Sequence, residues 1–181
     1  SADYKKVVVG VLLFTLFNSS DIFLLLMAKS IGIDDLHIIG VYIFYNLIYA
    51  LSSYPMGVLA DKIGMRSTFI IGLFLFVIVY GSIAFVETEL MLYVVFFIYG
   101  LYAGATEGVI KAWISKIAPS SETATAIGFY ASCASIAALF ASSIAGLIWV
   151  SFNSASTFIV TAVATFLVMV YFLLQRDQIT E

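Results

Sequence analysis

Six long apolar stretches joined by short links fill almost the whole of this chain, and they restrict it to a membrane-embedded bundle. A helix needs about 20 mostly apolar residues to cross the ~30 Å hydrocarbon core of a bilayer. The predicted helices cover residues of about 6–30, 36–59, 67–87, 89–117, 121–149 and 154–175. Short links make successive helices antiparallel. The predicted fold is therefore all-α, an integral membrane bundle of six transmembrane helices that forms a single domain over residues 1–181.

The composition supports a membrane protein and gives no sign of an enzyme. Hydrophobic residues make up 63% of the chain and charged residues 10%, whereas soluble domains carry about 25% charged residues. An intramembrane enzyme would need a nucleophile–base pair or a metal cluster, but the chain has one histidine, His37, and one cysteine, Cys133. We therefore expect no catalytic residues, no metal site and no cofactor. Without a basic cluster, we also expect no nucleic-acid partner.

The distribution of charges predicts the orientation in the membrane. One side of the predicted bundle carries the basic residues Lys5, Lys6, Lys62, Arg66, Lys116 and Arg176. The other side carries Asp34, Asp35, Glu87 and Glu89, with Lys29 nearby. Because positive residues concentrate in cytoplasmic loops, both termini are expected to be cytoplasmic.

The six predicted helices differ in polarity in a repeating order. The third and sixth, 67–87 and 154–175, carry almost no strongly polar side chain, whereas the other four do. Polar groups avoid lipid, so the third and sixth helices are expected to face lipid. The order inner, inner, outer then occurs twice, as is typical of two three-helix repeats in inverted topology.

Asn18 and Asp21 are the candidate functional residues of the first predicted helix. Three positions apart, they would share one face of a continuous helix. Asp21 would lie in the outer half of the membrane, where an ionisable group is costly and indicates a function by default. It either takes up and releases protons or accepts hydrogen bonds that hold helices together.

The second predicted helix carries a polar stripe. Tyr42, Asn46, Tyr49 and Ser53 share one face, and Tyr45 lies beside it. Two interpretations stay open for these residues: they line a cavity, or they form hydrogen bonds between helices.

Glu107 and Lys111 lie one turn apart on the fourth predicted helix, and Tyr102 and Thr106 extend the same region. A Glu–Lys pair at this spacing is commonly structural. It could equally open and close as a gate, or contact substrate or a proton.

Two predicted helices carry stripes of small residues with a spacing of four. They are Gly100, Gly104 and Gly108 in the fourth helix, and Ala134, Ala138, Ser142 and Gly146 in the fifth. Such stripes let helix backbones approach closely. They indicate tight packing, or smooth faces that slide against each other.

A short charged segment between the second and third helices carries a recognisable motif. Its residues are Gly57-Val58-Leu59-Ala60-Asp61-Lys62-Ile63-Gly64-Met65-Arg66. It resembles the loop signature of the major facilitator superfamily, which it matches at Gly57, Leu59, Ala60, Asp61, Lys62, Gly64 and Arg66, and from which it departs at Met65. The glycines suit a tight turn, and the Asp61 carboxylate suits the positive N-terminus of a neighbouring helix. The resemblance implies that this segment is a conformational switch.

The resemblance also implies a function. Members of this superfamily have two six-helix halves, and 17–26 and 99–109 look like segments of C-terminal halves. The chain is thus expected to be half of a secondary transporter, isolated or naturally halved, which moves a small solute by alternating access. It would be a multi-pass protein of a cell membrane, such as the bacterial inner membrane. It would pair with the missing N-terminal half or with a second copy as a homodimer. Proton coupling is one option, and a non-transporting assembly or binding module is the alternative.

Overall fold

The chain folds entirely into helices and turns within residues 2–175, the part that the computed structural model describes. The helices are α1 (Ala2–Thr15), α2 (Ile22–Ser30), α3 (Asp35–Ile63), α4 (Met65–Ser82), α5 (Glu89–Ile117), α6 (Thr123–Ser151) and α7 (Ser154–Leu174). A 3₁₀ turn, Ile83–Phe85, continues α4. The predicted all-α class is therefore confirmed.

Five helices of the described chain are long and apolar enough to span a membrane. They are α3, α4 with its 3₁₀ turn, α5, α6 and α7. Side-chain caps define the beginnings of three of them: Asp34, Thr88 and Asn153 each accept a hydrogen bond from a backbone N–H in the first turn. The side chain of His37 also donates to Asp34, and this bond holds the pKa of Asp34 below its usual value.

The first predicted span is not one continuous helix, so six spanning helices are not confirmed. Residues 16–21 interrupt it, leaving α1 with 14 residues and α2 with 9. The interruption contains Asn18-Ser19-Ser20-Asp21, short polar side chains that compete with helical backbone bonds. The backbone N–H of Ser20 instead donates to Oγ of Ser142 on α6, at 3.2 Å. The break is thus fastened to another helix.

The charged segment from Gly57 to Arg66 is mostly helical rather than a loop. Helix α3 continues to Ile63, and α4 begins at Met65. Gly64, with φ of 93°, makes the whole turn in a conformation that residues with a Cβ rarely adopt. Pro55 lies inside α3 and does not end it, as membrane helices allow.

Helix α5 lies at the centre of the described bundle and packs mainly against α3 and α4. In its most apolar stretch 56% of residues are buried, compared with 22% in α3 and 17% in α6. Two glycines make the contact with α3 close. A Cβ on Gly104 would lie 2.3 Å from Oγ of Ser52, and one on Gly100 would lie 2.8 Å from Cβ of Ile48. At these positions the glycine stripe serves tight packing.

The exposed faces differ in polarity. Exposed side chains of α7 within the described residues are all apolar: Ile159, Val160, Val163, Phe166, Leu167, Leu173 and Leu174. Helix α6 also exposes Ser132, Ser135 and Ser143, whose hydroxyls donate to carbonyls of their own helix at 2.8–2.9 Å. The α7 face suits lipid, whereas the α6 face is mixed.

Candidate functional site

A cavity of about 300 Å³ lies between α1, α5 and α6, and we call it the central cavity. It is lined by Phe14, Thr15, Asn18, Tyr102, Thr106, Glu107, Ile110, Lys111, Tyr130, Ala131 and Ala134. Five of the predicted pathway residues, Asn18, Tyr102, Thr106, Glu107 and Lys111, thus meet at one place. A pocket of this size is at the small end of the range for small-molecule sites.

Glu107 and Lys111 are the charged groups of this cavity, and both are exposed. The hydroxyl of Tyr49 on α3 donates to Oε2 of Glu107 at 2.8 Å. No ion pair joins Glu107 to Lys111 within the described chain, so the structural pair suggested by their spacing is not formed. The carboxylate instead links α5 to α3, and the Lys111 ammonium is left facing the cavity.

Asn18 and Thr106 build the polar wall beside Tyr102. Nδ2 of Asn18 donates to the Tyr102 hydroxyl at 3.0 Å, and the Thr106 hydroxyl donates to the Tyr102 carbonyl at 2.9 Å. Oδ1 of Asn18 is buried and has no hydrogen-bond partner among the described residues. Asn18, which lies in the break between α1 and α2, thus also lines the cavity.

Asp21 lies next to a buried tyrosine cluster rather than on the cavity wall. The cluster consists of Tyr45, Tyr80, Tyr99 and Tyr102. The Tyr99 hydroxyl donates to Oδ1 of Asp21 at 2.5 Å. The Tyr99 ring stacks on that of Tyr102, with centroids 5.2 Å apart. Asp21 and Asn18 do not share a helix face, because the chain is not helical between them; neighbouring tyrosines of α5 bind them instead.

The predicted residues of α3 lie in different surroundings. Tyr45 is buried and stacks on Tyr99 at 4.9 Å, and so belongs to the cluster. Asn46 is exposed and donates to the Tyr42 carbonyl of its own helix at 2.8 Å. Tyr49 contacts a residue of the central cavity, through its hydrogen bond to Glu107.

A second depression of about 460 Å³ runs between α3 and α5, and we call it the α3–α5 groove. It is lined by Tyr49, Ser53, Gly57, Ala60, Asp61, Met65, Gly104, Gly108, Val109, Ala112 and Lys116. Nζ of Lys116 lies 3.3 Å from Oδ1 of Asp61, and both side chains are mostly exposed. Gly57 and Asp61 of the predicted switch therefore belong to this groove, while Lys62 is exposed outside it.

Arg66 ties the start of α4 to the end of α7. Its Nε donates to the Phe172 carbonyl at 3.0 Å, and its Nη2 donates to the carbonyls of Phe172, Leu173 and Gln175. These carbonyls end a helix, where a positive charge is favourable. Arg66 and Asp61 thus contact different helices, α7 and α5, although both belong to one sequence motif.

Sequence reasoning missed Phe14, Tyr130, Tyr99 and Lys116. Phe14 and Tyr130 form aromatic walls of the central cavity, Tyr99 binds Asp21, and Lys116 binds Asp61. A signal existed for Tyr99, since it precedes Tyr102 by three positions on a polar helix. The contacts between helices had no signal in the sequence.

Comparison with known proteins identifies the family of the chain. Residues 7–180 match the profile of the Major Facilitator Superfamily. The chain is also similar to an uncharacterized MFS-type transporter from Methanocaldococcus jannaschii, with 34% identity over 143 residues. That match covers 76% of this chain and 36% of the relative, so the chain spans about a third of the relative's length. The helical fold, the apolar spans and the match along nearly the whole sequence lead to one conclusion: this chain belongs to the Major Facilitator Superfamily.

Proposed function

We propose that this chain is one six-helix half of a secondary transporter, corresponding to the C-terminal half, and that it moves a small solute by alternating access. The observation that carries the proposal is the central cavity, where Glu107 and Lys111 lie exposed on a membrane-spanning helix. Ionisable groups within spans face water or protein rather than lipid. A water-filled solute path is the simplest environment for them.

A second half would cover the least buried helices. Helices α3 and α6 have the smallest buried shares among the five spans, and α6 exposes serines as well as apolar side chains. The matched relative is much longer than this chain. We propose that an N-terminal half, or a second copy in a homodimer, packs on α3 and α6, while α4 and α7 face lipid as the third helices of two inverted repeats.

We propose that both termini are cytoplasmic and that the membrane is a cell membrane, as in a bacterial inner membrane. The pair Asp61–Lys116 joins α3 to α5 at one end of the bundle, and His37 approaches Glu89 at the other, at 3.8 Å. Lys62 and Lys116 lie in the last turns of α3 and α5, whereas Asp35 and Glu89 lie in their first turns, at the opposite end. This asymmetry supports the orientation. In a Cys133→Ser background, an impermeant maleimide added to intact cells should label Glu87→Cys and not Lys62→Cys. The reverse pattern would overturn the orientation.

Alternating access can be tested without knowing the solute. Ala131 is an exposed residue of the central cavity. In the protein at its native length, with Cys133→Ser, we expect Ala131→Cys to react with impermeant maleimide from either side of the membrane. Phe166→Cys on the apolar face of α7 is the matched control and should react from neither. Labelling of Ala131→Cys from one side alone, under all conditions that change the access state, would contradict the proposal.

The alternative is a membrane assembly or binding module that does not transport. Proteoliposomes loaded with labelled amino acids, sugars or organic acids separate the two. A transporter shows counterflow of at least one solute, whereas a binding module shows saturable binding with no flux. Counterflow absent for every solute class, in protein shown to be folded and binding-competent, would favour the module.

A further inference from the structure

We propose that the ligand of the central cavity is a small zwitterion, a molecule with one ammonium and one carboxylate on an apolar body, such as an α-amino acid with an aromatic or apolar side chain. The inference deepens the proposed function and rests on it. It comes from the two opposite charges of the cavity and from what surrounds them.

The two charged side chains of the cavity do not form an ion pair with each other. Glu107 and Lys111 share one wall of the cavity, one turn apart on α5. Tyr49 holds Oε2 of Glu107 at 2.8 Å, and Oε1 makes no hydrogen bond with the described residues. Lys111 likewise makes no hydrogen bond or ion pair there. One acceptor for an ammonium and one donor for a carboxylate are therefore available side by side.

The membrane setting selects a ligand with both charges. A cation would pair with Glu107 and leave Lys111 uncompensated when water is displaced, and an anion would do the converse. A charged group that loses water to the ligand and gains no partner opposes binding. A zwitterion pairs with both groups and adds no net charge to the site.

The remaining walls favour an apolar body of limited size. Phe14, Tyr102 and Tyr130 supply aromatic surface, and Ala131 and Ala134 leave space beside them. The cavity volume of about 300 Å³ suits a small molecule. Phenylalanine combines the two charges with an aromatic ring, and so serves as the probe.

Three matched probes test the charge requirement. Phenylalanine carries both charges, its methyl ester carries the ammonium alone, and N-acetylphenylalanine carries the carboxylate alone. With the purified protein at its native length, isothermal titration should show phenylalanine binding at least about tenfold more tightly than either derivative. Equal binding of one derivative, or no binding of any of the three, would overturn the proposal.

Variants assign each charge to its residue. Glu107→Gln should weaken phenylalanine binding and abolish the preference over N-acetylphenylalanine, while Lys111→Met should abolish the preference over the methyl ester. Glu87→Gln and Lys29→Met change the same residue types away from the cavity and should keep both preferences. If size-exclusion chromatography shows that either cavity variant is unfolded, the three-probe comparison on the unchanged protein alone tests the proposal.

The outcome also separates this inference from the proposed function. Phenylalanine binding that requires both charges, without counterflow in proteoliposomes, would support the ligand class and contradict transport. Counterflow of a sugar or an organic acid, with no phenylalanine binding, would support transport and overturn the ligand class.

Discussion

The hydroxyl of Tyr99 donates a hydrogen bond of 2.5 Å to Oδ1 of Asp21, and this bond joins the interrupted first segment of the bundle to its central helix. Tyr99 is only 2% exposed, so the bond is shielded from water on the phenol side. A hydrogen bond to a charged group in such surroundings contributes more than one between neutral groups.

Removing that hydroxyl should destabilise the bundle. We expect Tyr99→Phe to cost about 1 to 3 kcal/mol, because Asp21 would lose a charge-assisted hydrogen bond. Tyr93→Phe is the matched control on the same helix, since the Tyr93 hydroxyl makes no hydrogen bond with the described residues. Thermal unfolding in detergent measures both. Equal melting temperatures for the two variants would show that the bond contributes little.

Proton coupling, one of the two roles that the sequence leaves open for Asp21, has a separate test. Asp21→Asn keeps an oxygen that can accept from Tyr99 but cannot take up and release a proton. In the protein at its native length, proton-driven accumulation should be lost while solute counterflow persists. Both are measured in proteoliposomes with an internal pH dye and a labelled solute that the unchanged protein carries. Accumulation that still follows the pH gradient would exclude Asp21 as the coupling group.

The glycines of the α5 stripe should differ in their tolerance of an added Cβ. Gly104→Ala places a Cβ 2.3 Å from Oγ of Ser52 and 3.2 Å from its backbone carbon, so a helix must move. We expect a loss of about 1 to 3 kcal/mol from this overpacking. Gly108→Ala meets nothing within 4 Å and should be neutral in stability. Detergent melting curves compare them, and equal destabilisation would contradict the packing argument.

The contact between Asp61 and Lys116 can be separated from the proposed switch. An exposed pair contributes about 0 to 1 kcal/mol, so Asp61→Asn should leave the melting temperature nearly unchanged. We expect it to alter the access state, measured by maleimide labelling of Ala131→Cys from each side. The double exchange Asp61→Lys with Lys116→Asp should restore the pair but not the access state, if Asp61 acts on the opposite half. Full restoration would assign Asp61 to Lys116 alone.

Arg66 should stabilise the C-terminal end of α7. Arg66→Gln removes charge-assisted bonds to carbonyls at the helix terminus, and we expect about 1.5 to 3 kcal/mol of destabilisation. Lys62→Gln removes an exposed charge from the same motif and is the control. Thermal unfolding and limited proteolysis near residue 175 report the two effects. Unchanged proteolysis of Arg66→Gln would show that other contacts hold this terminus.

Hydropathy predicted most of the fold, because length and apolar content are read directly from sequence. It placed α3 to α7 within a few residues at nearly every end. It missed the interruption at residues 16–21, since the flanking leucines and phenylalanines keep the stretch apolar on average. The run Asn18-Ser19-Ser20-Asp21 carried the local signal, as four residues that favour caps and turns over helix interiors.

Part of the site was also predictable, because helical periodicity is read directly from the sequence. Glu107, Lys111, Thr106 and Tyr102 follow from helical periodicity on one element, and they do line one cavity. Contacts that join separate helices depend on how those helices rotate and cross. The bonds Tyr49–Glu107 and Tyr99–Asp21 are of this kind, and periodicity within one helix says nothing about them.

The interruption between α1 and α2 has a consequence for the order of assembly during synthesis. Ser20 bonds Ser142 on α6, and Asn18 and Asp21 bond Tyr102 and Tyr99 on α5. A ribosome makes α1 and α2 well before these partners exist. The segment therefore enters the bilayer with amides and side chains whose hydrogen-bond partners lie on later helices. It is translated early, but its hydrogen bonds form only after α5 and α6 have been made.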